Sequence, residues 1–154
     1  MNLKNYWIKI FFIILTIAYA NLAHADVKQN ASKQVTYFLE IINEFASEKD
    51  DKLRKEKSDK ILKIIDLEFM SKATLGKYWK KANENDKIQF KANLFKKFIG
   101  FIDLHVEDFK KIHFKEQTVK IRGPKLIYVN GYIDTKKIKN LNITWKLSSK
   151  EIKI

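Results

Sequence analysis

A chain of 154 residues with a formal net charge of +13, 45% apolar and 13% aromatic, can build one hydrophobic core and is too apolar for a disordered tail. It has no cysteine, which excludes zinc–thiolate sites, redox pairs, thiol nucleophiles and disulfide staples. Its four glycines and single proline are too few for a many-turned β-sandwich or barrel.

Residues 1–25 read as a cleavable export signal. Lys4 and Lys9 form a basic head, Ile10 to Ala20 is a nearly unbroken apolar run, and Ala23-His24-Ala25 supplies the small-x-small pattern that signal peptidase accepts. The run is well short of the roughly 20 residues that cross a bilayer, so a retained membrane anchor is the lesser reading. Cleavage after Ala25 would start the exported chain at Asp26. An exported protein meets no cytosolic nucleotide pool, which weighs against kinase, GTPase and dehydrogenase functions. The charge either attracts an anionic partner, a membrane surface or nucleic acid, or reflects a Lys-, Ile- and Asn-rich composition; the lysines are spread rather than clustered, which favours the second.

Val27 to Ala46 places Val35, Phe38, Leu39, Ile42 and Phe45 at spacings of three and four, which predicts an amphipathic helix. Ser47 to Asp51 breaks it. A second helix follows, basic at Lys52, Arg54, Lys55 and Lys57, then apolar at Ile61, Leu62, Ile64 and Ile65. A short helical stretch is expected over Leu67 to Lys81, with Leu75-Gly76 as a helix end capped by glycine in a left-handed conformation. Asn83 is placed as the N-cap of a long helix whose stripe runs Ile88, Phe90, Leu94, Phe95, Phe98, Ile99, Ile102 and Val106; a stripe that wide must pack against something substantial. Beyond Lys111 the period becomes two. Val119 and Ile121 precede a Gly123-Pro124 turn, Leu126 to Ile133 forms a strand whose Gly131 marks a bulge, Asp134 to Asn140 connects, and Leu141, Ile143, Trp145 and Leu147 alternate with polar residues. Ser148-Ser149-Lys150 turns into a further strand, Glu151 to Ile154. Helices followed by hairpin-linked strands make an α+β domain, with the helices on one face of an antiparallel sheet and 26–154 as a single domain.

Catalytic motifs do not surface. His105 and His113 lack a nucleophile and an orienting carboxylate at a recognisable spacing, and the chain has no phosphate-binding loop, nucleophile elbow or HExxH pair. Carboxylates are interleaved with lysines as on a solvated helix face. No enzyme is indicated, and a hydrolase reading would rest on the two histidines alone.

The most specific segment is Ile65-Asp66-Leu67-Glu68-Phe69-Met70-Ser71-Lys72-Ala73-Thr74-Leu75-Gly76-Lys77-Tyr78-Trp79-Lys80-Lys81-Ala82. Its Asp66, Met70, Leu75, Gly76, Tyr78, Trp79, Lys80 and Ala82, followed by Asn83, Phe90 and Leu94, resemble the toluene-tolerance (MlaC) family of periplasmic phospholipid-binding proteins. Ile143-Thr144-Trp145-Lys146-Leu147 and Ile152-Lys153-Ile154 are similar to two of its strands. The resemblance implies a phospholipid shuttle in the periplasm, serving an ABC-type transport system that maintains outer-membrane lipid asymmetry. Its partners would be an inner-membrane ABC transporter complex and an outer-membrane lipoprotein complex, with no nucleic acid, cofactor or metal. Family members continue through a further strand and a terminal helix, so the resemblance also implies a C-terminally incomplete carrier domain, or a truncated relic of one.

A lipid carrier needs a dry cavity between sheet and helices. Candidates for its lining are Leu67, Met70, Leu75, Tyr78, Trp79, Phe90, Leu94, Phe98, Ile102, Tyr128, Ile143 and Trp145, each of which can equally be ordinary core. The competing reading is an exported basic adaptor that binds anionic surfaces without enclosing a ligand.

Overall fold

The structure, a computed structural model, describes residues 26–123 and 126–148. The expected export signal over 1–25, Pro124 of the expected turn, and the expected closing turn and strand over 149–154 lie outside the described residues. Helix α1 (26–47) is the core element. Ala31, Val35, Phe38, Leu39, Ile42, Phe45 and Ala46 recur every three or four positions along it and are buried. Helix α2 (Asp51–Ile64) starts where the Asp50 carboxylate accepts from Leu53 N–H at 2.9 Å, and it buries Ile61 and Ile64.

Arg54 fastens α1 to α2 and to the next long helix. Its guanidinium lies 4.0 Å from the Phe45 ring centroid, donates to the carbonyls of Phe45 and Glu48 at 2.9 and 3.2 Å, and pairs with Asp103. Those carbonyls sit at the C-terminal end of α1, where a cation also meets the negative end of the helix dipole.

Helix α3 (Leu67–Leu75) is capped by Asp66, which accepts from Phe69 N–H at 2.8 Å. It stops six residues short of the expected Lys81. Gly76, with φ 54 and ψ −122, breaks the helix and leads into a 3₁₀ turn over Gly76–Tyr78. The positive φ agrees with the expected glycine cap, but the ψ value lies far from left-handed helical geometry. Helix α4 (Glu84–Leu104) begins at Asn83, whose side chain accepts from Asp86 N–H at 2.8 Å. It ends before Val106, because the chain turns at His105 (φ −118, ψ 29) into the single turn α5 (Val106–Phe109).

The wide stripe on α4 is only partly a core face: Phe95, Phe98 and Ile99 pack against the core around Ile102, whereas Ile88 is exposed. Only Ile102 is buried, Phe98 and Ile99 are half-buried, and Phe101 is 52% exposed. The helix packs on α3, and Phe98 and Phe101 of its C-terminal half face a cavity.

Strands β1 (His113–Arg122), β2 (Leu126–Asp134) and β3 (Leu141–Ser148) form an antiparallel sheet in the order β1-β2-β3. On β2 the odd-numbered Ile127, Val129, Gly131 and Ile133 are buried under the helices, opposite Leu147, Trp145, Ile143 and Leu141 of β3. The bulge predicted on β2 lies on its partner, between Glu116 and Thr118 of β1, across from Gly131. Phe114 and Val119 are five residues apart and would point to opposite faces of a regular strand; the extra residue brings both onto the face packed against the core. The other face is polar. Thr144 Oγ1 donates to Asn130 Oδ1 at 2.7 Å, and Asn130 Nδ2 donates to Thr118 Oγ1 at 3.1 Å, a ladder across all three strands.

Candidate functional site

Between α1, α3, α4, α5 and the β2–β3 half of the sheet lies a cavity of about 660 Å³. That is within the range of ligand-holding pockets, about 300–1,000 Å³. Its floor is buried: Phe38, Leu39 and Ile42 of α1, Ile65 after α2, Ile112 before β1, and Ile133 of β2. Met70, Phe98, Phe109, Ile143 and Trp145 make half-buried walls. The rim is solvent-facing: Phe69 of α3, Phe101 of α4, His105, Ile138 of the β2–β3 loop and Leu141 of β3; Thr144 and Lys146 border it along β3, but their side chains take the sheet's other face.

Four aromatic rings and one glycine shape the wall. Phe38 stacks on Phe98 with centroids 6.5 Å apart; Trp145 meets Phe38 edge-on at 5.8 Å and Phe114 edge-on at 6.4 Å. Phe114 can lie there because residue 131 is glycine. A Cβ at that position would fall 2.6 and 2.7 Å from Phe114 ring carbons and into the Lys115 carbonyl oxygen. Ile112 is held by Asn43 of α1, whose side-chain amide accepts from Ile112 N–H at 3.2 Å and donates to its carbonyl at 3.4 Å.

Polar groups gather at one end. Thr135 Oγ1 accepts from the amides of Lys137 and Ile138 at 3.2 and 3.0 Å, and Asn140 N–H donates to Asp134 Oδ1 at 2.8 Å. That backbone hydrogen bond, with Lys115 as a second cause, holds the Asp134 carboxyl below its ordinary value. Lys136 and Lys137 reach Glu107 and Asp108 of α5 at 3.9 and 3.6 Å. Lys110, bonded to Glu107 at 2.9 Å, lowers that carboxyl too. Among the described residues no cluster of metal-ligating side chains occurs.

Of the twelve residues singled out in the sequence, the structure brings Met70, Phe98, Ile143 and Trp145 together on the cavity. Leu67 packs against the core beside it, and Ile102 is fully buried within the core. Leu75 is half-buried at the end of α3, Tyr78 is 60% exposed, and Trp79 is buried with Lys87 5.6 Å from its ring centroid. Phe90 and Leu94 are half-buried on the N-terminal half of α4, away from the cavity lining. Tyr128 occupies an even position of β2 and so faces away, with Lys146 5.8 Å from its ring centroid.

Sequence reasoning missed Phe69, Phe101, Ile138, Leu141 and the shaping residues Gly131 and Asn43. Phe101 had a signal, being one helical turn from Phe98. Ile138 had another, as the lone apolar residue in a run of lysines.

The fold and cavity define a small α+β container with an apolar interior and a polar, basic end. A family model described as "MlaC protein" matches residues 31–154, and the chain belongs to that family of lipid-binding carriers, which implies a phospholipid ligand. No curated protein and no solved structure matches the chain.

Proposed function

We propose that the protein is an exported, non-catalytic phospholipid carrier. After removal of residues 1–25 it shuttles lipid across the periplasm between an inner-membrane ABC transporter and an outer-membrane lipoprotein complex, maintaining lipid asymmetry. The observation that carries the reading is the cavity of about 660 Å³, lined almost wholly by aliphatic and aromatic groups, in a chain of the MlaC family.

Acyl chains enter along the floor made by Phe38, Ile42 and Ile133, where each buried methylene contributes about 0.8 kcal/mol. Two chains therefore bind tightly without a specific polar contact. The headgroup stays at the solvent-facing rim beside His105 and the lysines of the β2–β3 loop, where water and cations offset its charge.

The test is to purify the folded protein, extract it with organic solvent and identify lipids by mass spectrometry. Stoichiometric phospholipid is the expected result. A lipid-free preparation that neither takes up phospholipid from vesicles nor releases it would sink the reading and leave the basic adaptor in its place.

A further inference from the structure

Exposed large apolar side chains converge on the mouth of the cavity. Phe69, Phe101, Ile138 and Leu141 line it yet are 48%, 52%, 50% and 46% exposed, and Leu104, one turn beyond Phe101, is 82% exposed. Ile138 sits in a loop whose neighbours are Lys136, Lys137 and Lys139. The Thr135 and Asp134 hydrogen bonds and the positive φ of Asn140 (55) fix the loop's shape, so the isoleucine is displayed by design of the backbone. Against these stand the carboxylates of Glu107 and Asp108, which take Lys136 and Lys137 in long ion pairs at 3.9 and 3.6 Å. Lys139 forms no ion pair among the described residues and Lys110 also faces Glu107, so the rim is net positive.

We infer that this rim docks on an anionic lipid bilayer, with Ile138 and Leu141 entering the headgroup–acyl boundary and the loop lysines engaging the phosphates. Large apolar groups interleaved with lysines suit that boundary, because lysine stems lie along apolar surface while their ammonium groups stay among the phosphates. A second copy of this chain is disfavoured as the occupant, since two molecules that each keep a formal charge of +11 after Lys4 and Lys9 leave the full chain's +13 repel. The inference deepens the carrier reading by giving lipid a dry path from bilayer to cavity. It rests on that reading for its purpose and on the rim alone for its geometry.

The chain has no cysteine, so a single label is unambiguous. I138C carrying an environment-sensitive fluorophore should brighten on vesicles of phosphatidylglycerol and phosphatidylcholine and stay dim on phosphatidylcholine alone. The same label at K120C, on the exposed face of the far edge strand, should stay dim on both, which separates rim insertion from attachment through residues 1–25. The K136A/K137A/K139A variant should lose affinity about fivefold per lysine removed, with the loss largest at low salt.

A label at 138 that stays dim on bound anionic vesicles, or responds equally to neutral ones, overturns the proposal. So does a salt-resistant dimer, seen by sedimentation, that shields the label at 138. Co-purified lipid with a dim label defeats docking alone; a bright label on a protein that never takes up lipid defeats the carrier reading alone.

Discussion

The indole of Trp145 meets the ring of Phe38 edge-on, 5.8 Å between centroids and 73° between planes. This contact joins strand β3 to helix α1 and closes one wall of the cavity. Trp145 in turn rests against Phe114, so three elements far apart in sequence share one aromatic cluster. Replacing Trp145 with alanine removes both contacts. The expected loss is about 2–3 kcal/mol, below the 3–5 typical of fully buried Trp because the residue is only half-buried. Equilibrium denaturation of the variant measures it.

Gly131 is the least replaceable glycine. G131A would drive a methyl into the Phe114 ring and the Lys115 carbonyl, and a backbone carbonyl in a strand cannot yield as a flexible side chain does. Overpacking of this kind costs about 1–3 kcal/mol. A thermal midpoint unchanged from the parent protein would show that the sheet accommodates the methyl.

Filling the cavity should separate binding from folding. Met70 lines the wall and is half-buried, so M70W has room to extend into the void. Stability should move by less than about 1.5 kcal/mol, while the phospholipid recovered by extraction falls several-fold. Equal lipid recovery from both proteins would place the ligand elsewhere.

Arg54 acts as a four-way fastener, and R54M keeps the stem but removes every polar contact. The loss of two carbonyl hydrogen bonds and the Asp103 pair should cost about 2 kcal/mol, chiefly from the carbonyl contacts, because the ion pair is partly exposed. Double-mutant analysis with D103N divides the two contributions; a coupling energy near the whole loss would reverse that assignment.

Acid should loosen the β2–β3 loop. The Asp134 carboxyl is depressed in the folded protein, so its contribution is present above its ordinary value of 3.8 and lost as pH falls through the lower folded value. The amide resonance of Asn140 should shift in that acidic window in the parent protein and show no such step in D134N. An Asn140 amide indifferent to acid would mean the hydrogen bond does not hold the loop.

Much of this architecture follows from local rules that act within a few residues. Helical spacing places the buried face of α1, Asn83 caps α4 because its side chain reaches the third amide ahead, and alternation on β3 puts Ile143 and Trp145 on one face. The MlaC resemblance is carried by a contiguous run, Asp66 to Ala82, for the same reason.

What the sequence could not rank was burial against lining. Phe90, Leu94, Phe98 and Ile102 repeat with one period along α4, yet only Phe98 reaches the cavity while Ile102 is sealed in the core. Tyr128 reads like Ile143 but lies on the opposite face, because register with the neighbouring strands sets which side a residue takes. Local periodicity thus determined the elements and their apolar faces. Only tertiary packing decided which of those faces meet one another and which stop short and enclose a void, because a void depends on the distance between elements that no single element encodes.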